Sequence, residues 1–252
     1  MRAPVERLFF VLLAATFPVV THCQNANAAR PRPPLPEYVQ EFFLSDTVRN
    51  QDRGELQFTL GVDSRQKIGT STSLKMEYGV TGRLQISVEL PYGTTEEERG
   101  ESSNWSSTSV GFQYQLFPST SPFAVSLGMA FGVPLTAGGE LGYQPAILIA
   151  KTFRRGQVHA SFTADIEAEK PSFQYNLASV YSIRQRWFPT IEFNGRSIRG
   201  EPAFYLTPGL YRHFHSRAEF GVGVPLGLGG IAGSAGIVGK MSFEIGGINE
   251  SE

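Results

Sequence analysis

Twelve extended runs constrain the fold of this chain more than any other feature, because polar and apolar side chains alternate in most of them, although the run at 143–152 is poorly patterned. In one run, Ile86 and Val88 point to one side of an extended chain, and Gln85 and Glu89 point to the other. Alternation with a period of two is typical of β-strands that have one apolar and one polar face. The sequence therefore predicts an all-β domain. The runs span approximately residues 54–62, 72–80, 83–91, 107–117, 123–135, 143–152, 157–168, 172–183, 188–196, 202–212, 218–226 and 236–245.

Run length and connection length distinguish a transmembrane barrel from a soluble sandwich. Strands that cross lipid need about 9 to 11 residues, whereas strands in soluble sheets have about 5 to 6. The connections after every second run are compact, such as "VTGR", whereas several others are longer, notably "YGTTEEERGESSNW". Outer-membrane barrels show this asymmetry and an even strand number. We therefore predict a transmembrane antiparallel up-and-down β-barrel of about 12 strands over residues 54–246, followed by a C-terminal tail at 247–252.

The N-terminal region predicts export. Arg2 and Arg7 precede the apolar run "LFFVLLAATFPVV", and Ala26-Asn27-Ala28 fits a signal-peptidase site. Residues 1–28 are therefore predicted to be a signal peptide, and the bacterial outer membrane is the predicted location. Lipidation of Cys23 is disfavoured, because bulky His22 precedes it where such signals carry a small residue. Cleavage after Ala28 removes the single cysteine, so the mature chain would contain no disulfide.

Residues 29–53 follow the predicted cleavage site and lack a sustained period. The segment "RPRPPLP" predicts an extended, polyproline-like chain, and the apolar cluster after it is compatible with one short helix. We interpret residues 29–53 as a Pro-rich periplasmic N-terminal linker.

The net charge of −1 gives no basic excess for nucleic acid, and no pattern predicts a cofactor or a metal. The partners expected for such a barrel are outer-membrane lipid and lipopolysaccharide, the barrel-assembly machinery and an unidentified small-molecule solute.

Aromatic residues near run ends are typical of the girdles at membrane interfaces. The residues predicted for these girdles are Tyr78, Tyr92, Phe117, Phe123, Trp187, Phe188 and Tyr211.

The polar faces of the runs predict the lining of the lumen. These faces carry seven acids and two lysines. The excess of acids predicts an electronegative lumen, and it predicts cation preference if the barrel is open. The alternative is that the acids pair with the lysines and with turn arginines, which leaves a neutral plug. The predicted lumen-facing polar residues are Glu55, Lys75, Glu77, Gln85, Glu89, Gln113, His159, Asp165, Glu167, Glu192, Lys240 and Glu244.

Three polar constellations allow chemistry beyond a pore. His159 and Ser161 share a strand face, as a base and a nucleophile do in outer-membrane lipid-modifying hydrolases, but no orienting carboxylate is identified by spacing. His213 and His215 in "RHFHSR" are interpreted as a solvated basic turn rather than a metal site. The stretch "TEEERGE" is interpreted as a solvated external loop, with cation bridging to lipopolysaccharide as the alternative.

Two hairpin segments resemble a known family. The segments "MEYGVTGRLQISVELPYG" and "LTPGLYRHFHSRAEFGVGVPLGL" are similar to hairpins in a bacterial family of outer-membrane transporters assigned to a phenol-degradation pathway. The resemblance implies a fold and a location, and it transfers no functional residue. The chain departs from the usual outer-membrane pattern because "EIGGINESE" follows Phe243, which weakens or displaces the C-terminal aromatic assembly signal.

The sequence thus favours a non-enzymatic outer-membrane barrel that is a passive channel or transporter for small molecules. A non-conducting structural or sensing barrel is the alternative, and a lipid-modifying hydrolase that uses His159 and Ser161 is a minor one.

Overall fold

A computed structural model gives the fold of residues 38–65, 69–97, 100–104, 107–117, 121–135, 141–166, 171–183, 186–198, 201–215, 217–230 and 235–246. The predicted signal peptide, residues 29–37 and the tail at 247–252 lie outside these described residues. The strands are β1 Glu55–Arg65, β2 Gly69–Thr81, β3 Leu84–Glu97, β4 Gly100–Asn104, β5 Ser107–Gln115, β6 Phe123–Pro134, β7 Gly142–Phe153, β8 Gly156–Asp165, β9 Ser172–Tyr181, β10 Trp187–Ile198, β11 Glu201–His215, β12 Ala218–Gly223, β13 Leu226–Gly230 and β14 Gly236–Gly246.

The strands close into one antiparallel barrel. Strand β1 pairs with β2 and with β14, from Glu55 opposite Gly246 to Arg65 opposite Gly236. Strands β4 and β5 both pair with β3, and β12 and β13 both pair with β11, so each of these couples forms one interrupted barrel strand. The fourteen segments thus make twelve barrel strands, and the predicted barrel of about 12 strands is confirmed.

The two faces of the barrel wall differ in polarity as the period of two predicts. Outward apolar side chains remain exposed, such as Leu177 at 52% and Ile147 at 48%, whereas inward Gln57 and Ser126 are completely buried. A belt of exposed apolar side chains around a closed sheet suits hydrocarbon, where pairing satisfies the backbone N–H and C=O groups. We therefore treat the apolar face as the lipid face and the polar face as the lumen wall.

Two irregularities differ from the sequence prediction. The long loop predicted after the third run, which includes "TEEERGE", is wrong in part, because β3 continues to Glu97 and pairs with β4 as a hairpin. The eleventh barrel strand is interrupted at Val224 and Pro225, since proline has no N–H to donate to the ladder. Among the described residues, no helix has the length and apolarity to span a membrane.

The two ends of the barrel are defined here by their connections. The turn end holds the start of β1 and the end of β14, together with compact connections such as Gly82 and Arg83 between β2 and β3. The loop end is the opposite end. It holds the end of β1 and the start of β14.

Candidate functional site

Residues 38–53, called the plug segment below, lie inside the turn half of the barrel. Their side chains and backbone contact inward residues of β2, β3, β5, β6, β8, β10, β12 and β14. Contacts to strands around the circumference require the segment to cross the lumen. The prediction of a periplasmic linker with a short helix is therefore wrong for residues 38–53, because this stretch is a non-helical chain packed within the barrel.

Two inward carboxylates hold the backbone of the plug segment. Glu192 Oε1 accepts a hydrogen bond from the Phe43 N–H at 2.7 Å, and its Oε2 accepts one from the Leu44 N–H at 2.9 Å. Glu219 Oε1 accepts hydrogen bonds from the N–H groups of Gln40 at 2.9 Å and Glu41 at 3.2 Å. Carboxylate acceptors make stronger hydrogen bonds than neutral ones. These acids therefore fix the chain path of the plug segment.

A charged cluster ties the plug segment to strands β2 and β14. The Glu41 carboxylate pairs with the Lys75 ammonium and, at 2.8 Å, with the Lys240 Nζ. Lys75 also lies 3.0 Å from Glu77 and 3.4 Å from Asp46. Removing one member of a buried ion pair leaves an uncompensated charge and costs about 3–5 kcal/mol. The segment and the wall are thus electrostatically interdependent.

Aromatic packing adds to these polar contacts. The Phe43 ring stacks on Tyr211 with centroids 4.4 Å apart, and the Phe42 ring meets His159 edge-on at 4.6 Å. A Cβ atom added at Gly209 would lie 2.1 Å from the Phe43 ring, so the absence of a side chain there makes room for Phe43. Burying side chains of this size contributes about 1.5–3 kcal/mol each.

The second half of the plug segment is held by amides and hydroxyls. The Gln51 N–H donates to Gln85 Oε1 at 2.7 Å, and Ser126 Oγ donates to the Val48 carbonyl at 2.5 Å. Gln113 Nε2 donates to the Val48 carbonyl at 3.1 Å. The small inward residues of β6 leave space for this stretch, since Val48 packs in a buried cluster with Ala124.

Described residues line two cavities in the lumen beyond the plug segment. The acidic cavity has a volume of about 120 Å³, and its lining includes Asp46, Glu77, Glu89 and Lys75. The arginine cavity has a volume of about 220 Å³. Its lining consists of Leu44, Asp63, Arg65, Gln174, Asn176, Asn194, Gly195, Arg196 and Tyr205. The unfilled part of the lumen is therefore divided into regions of different charge.

The residues predicted to line the lumen occupy three different settings. Seven of them surround the plug segment: Lys75, Glu77, Gln85, Gln113, His159, Glu192 and Lys240. Glu89 lines the acidic cavity, and Asp165 is half-buried near the loop end of β8. Glu55 accepts a hydrogen bond from the Asp52 N–H at 3.0 Å and, like Glu244, lies at the turn end. Glu167 lies outside the described residues.

Sequence reasoning missed four charged residues that organise the lumen: Glu41, Arg65, Arg196 and Glu219. The alternation of β10 and β12 could have identified Arg196 and Glu219, because each lies an even number of positions from inward residues on its own strand. Arg65 lies beyond the predicted end of the first run, and nothing periodic marks Glu41. Two of these residues are acids and two are arginines, so the excess of carboxylates is unchanged, but both arginines line the same cavity.

Several local interpretations need correction. Phe188 and Tyr211, predicted for the aromatic girdle, are buried at 4% and 0% exposure because they face inward and pack around the plug segment. His213 and His215 belong to β11 rather than to a turn. His213 Nε2 lies 3.1 Å from Glu219 Oε2, so it is not a solvated turn residue. The described residues contain no cluster of three or more His, Cys, Asp or Glu that could hold a metal ion.

The structure does not join His159 and Ser161 into a catalytic pair. His159 Nε2 lies 3.2 Å from Gln157 Oε1, and its Nδ1 atom has no hydrogen-bond partner in the described part of the chain. Ser161 Oγ accepts a hydrogen bond from Asn176 Nδ2 at 2.9 Å. The Phe42 ring also covers His159. The arrangement lacks the base–nucleophile contact that a hydrolase needs.

Comparison with solved structures identifies the architecture. The chain resembles an outer membrane channel from Pseudomonas putida F1 with a TM-score of 0.65 at 10% identity, covering 79% of this chain and 98% of that one. It resembles the KdgM porin with a TM-score of 0.58 at 10% identity (75% and 99% covered) and the NanC porin with 0.55 at 13% identity (74% and 97% covered). No protein-family model and no curated protein matches the sequence. At these identities the likeness concerns the fold.

Proposed function

We propose that this protein is an outer-membrane channel for passive diffusion of small polar solutes, and that the plug segment controls its conductance. The observation that carries this proposal is a closed barrel with an apolar exterior and a polar interior that retains cavities beyond the plug segment. A barrel of twelve strands is intermediate between filled eight-stranded barrels and wide porins. Such a lumen can be narrowed by one crossing segment and widened when that segment leaves.

Several observations support the outer membrane as the location. The exposed apolar belt matches a lipid environment, and the segment 1–28 has the pattern of a signal peptide. The structural relatives are described as an outer membrane channel and as porins. The hairpin resemblance to the transporter family assigned to phenol degradation favours transport over a purely structural role. It does not identify a solute.

The plug segment is bound by many separate contacts, none of them covalent, which makes departure and return physically reasonable. The segment continues into Gly54 and β1, so the chain keeps it tethered there when it leaves the wall. The same contacts favour the alternative function, a non-conducting barrel, because they reach strands around the circumference. The two functions differ in whether ions cross the isolated protein.

Single-channel recording of the wild-type protein in a planar bilayer separates these functions. We expect a small ohmic current with transient steps to a larger level, because the non-covalent plug segment leaves and returns. Protein boiled before insertion is the control, since it has lost the barrel. Absence of current from protein that is shown to be folded by its heat-dependent mobility on a gel would favour the non-conducting barrel.

A further inference from the structure

The arginine cavity combines two guanidinium groups with neutral amides in one part of the lumen. Arg65 comes from the end of β1 and Arg196 from the end of β10, two strands that are not neighbours in the barrel. Asp63 is the one acidic residue in the described lining. Asp165 also interacts electrostatically with Arg196 without forming a salt bridge, so two arginines and two acids stand together here, and among the described residues of this group the donors of Arg196 are the ones left unpaired.

The two arginines are in different bonding states. Arg65 is held by Asp63, with Nε 2.9 Å from Oδ1 and Nη2 2.5 Å from Oδ2, and its guanidinium carbon lies 4.4 Å from the centre of the Tyr205 ring. Arg196 makes no salt bridge with any described residue, and its side chain is exposed within the lumen. The planar donor fork of Arg196 is therefore available to an anion, and a carboxylate matches its geometry.

The amides of the lining add donors and acceptors beside this charge. Asn194 Nδ2 donates to Asn176 Oδ1 at 2.9 Å, while the buried Asn194 Oδ1 has no hydrogen-bond partner among the described residues. Gln174 lines the same cavity and makes no side-chain hydrogen bond within the described ranges. Unused amide atoms of both kinds suit hydroxyl groups, which donate and accept. Leu44 is the one aliphatic side chain in the lining, so the site is predominantly polar.

We propose that the arginine cavity is a binding site for small hydroxylated carboxylates, with Arg196 contacting the carboxylate and the amides contacting the hydroxyl groups. Asp63 offsets the charge of Arg65, so Arg196 is the group that attracts the anion. This proposal names a solute class for the channel and rests on the proposed function only for the route by which the solute arrives. Binding itself does not require conduction.

Calorimetric titration of the full-length barrel in detergent with gluconate and with sorbitol tests the proposal. These two probes carry similar hydroxyl groups, but only gluconate carries a carboxylate. We expect saturable gluconate binding and none by sorbitol. The Arg196→Gln variant is expected to weaken gluconate binding at least about tenfold, because charge-assisted bonds are the strong ones. Arg155→Gln, in the exposed turn between β7 and β8, is the matched control and should bind as the wild type does.

Heat-dependent gel mobility shows whether each variant is folded. If Arg196→Gln does not fold, Arg196→Lys retains the charge and loses the planar fork, and it should bind gluconate with intermediate affinity. Equal binding of sorbitol and gluconate, or unchanged gluconate affinity in both Arg196 variants, would overturn the site. Gluconate binding without ionic current would support the site and contradict the channel. Ionic current without gluconate binding would do the reverse.

Discussion

Deletion of residues 38–53 is expected to raise the single-channel conductance several-fold and to hold the channel at its larger level. The plug segment fills the turn half of the lumen, where it occupies the space between Glu192, Glu219 and Lys75. Without it these groups face water, which solvates charge well, so the barrel wall should remain closed by its backbone ladder. Recording in a planar bilayer measures the change directly.

A deletion of the C-terminal residues 247–252 is the control for this experiment, because it also shortens the chain but leaves residues 38–53 in place. Its conductance should equal that of the wild type. If the plug-deleted barrel has the mobility of a folded protein and its conductance is unchanged, then the plug segment does not limit the pore. If that folded variant passes no current at all, the barrel is not a channel.

The second large effect concerns the two faces of β3. Ile86 is 47% exposed on the lipid face, and the neighbouring Ser87 lines the acidic cavity. Ile86→Arg is expected to destabilise the folded barrel by about 2–4 kcal/mol, the cost of an arginine at the bilayer midplane. Ser87→Arg should cost less, because its charge enters a polar cavity near Glu89. Unfolding titrations of both variants in lipid vesicles give the difference in free energy.

Ile86→Leu is a matched control that keeps an apolar side chain on the lipid face, and it should be close to the wild type. The prediction depends on the inside and outside assignments of the barrel. A larger loss of stability for Ser87→Arg than for Ile86→Arg would reverse those assignments. It would equally contradict the presence of free space around Ser87.

The barrel could be predicted from the sequence because alternation is a local property. The poorly patterned run at 143–152 corresponds to β7, whose inward positions carry Leu148 and Ala150. These apolar residues obscure the alternation. The structure explains them by the buried cluster that they form with Val48 of the plug segment. The apolar residues on the inward face of β7 are therefore explained by contacts with the plug segment and not by a pattern within the strand.

The plug segment could not be predicted in the same way. Its contacts join residues far apart in the chain, such as Glu41 and Lys240, which are separated by 199 positions. No period marks a chain that crosses a lumen, and Phe42 and Phe43 suggest no partner before the barrel is built. Phe188 and Tyr211 were wrongly assigned to the girdle because their partners in the plug segment are also distant in the sequence. Their place near strand ends is local, whereas their packing around the plug segment is not.

The most direct test of the plug segment as the element that controls conductance is a reversible covalent lock in the full-length chain. Ser45 Oγ lies 3.2 Å from Asn194 Nδ2, so the two side chains are in contact. Cysteines are introduced at both positions, and loss of both free thiols on oxidation verifies that they are joined, because the one native cysteine lies in the predicted signal peptide. With the pair oxidised we expect the larger current steps to disappear, and reduction should restore them in the same channel. Larger steps that persist in the oxidised protein would contradict control by residues 38–53.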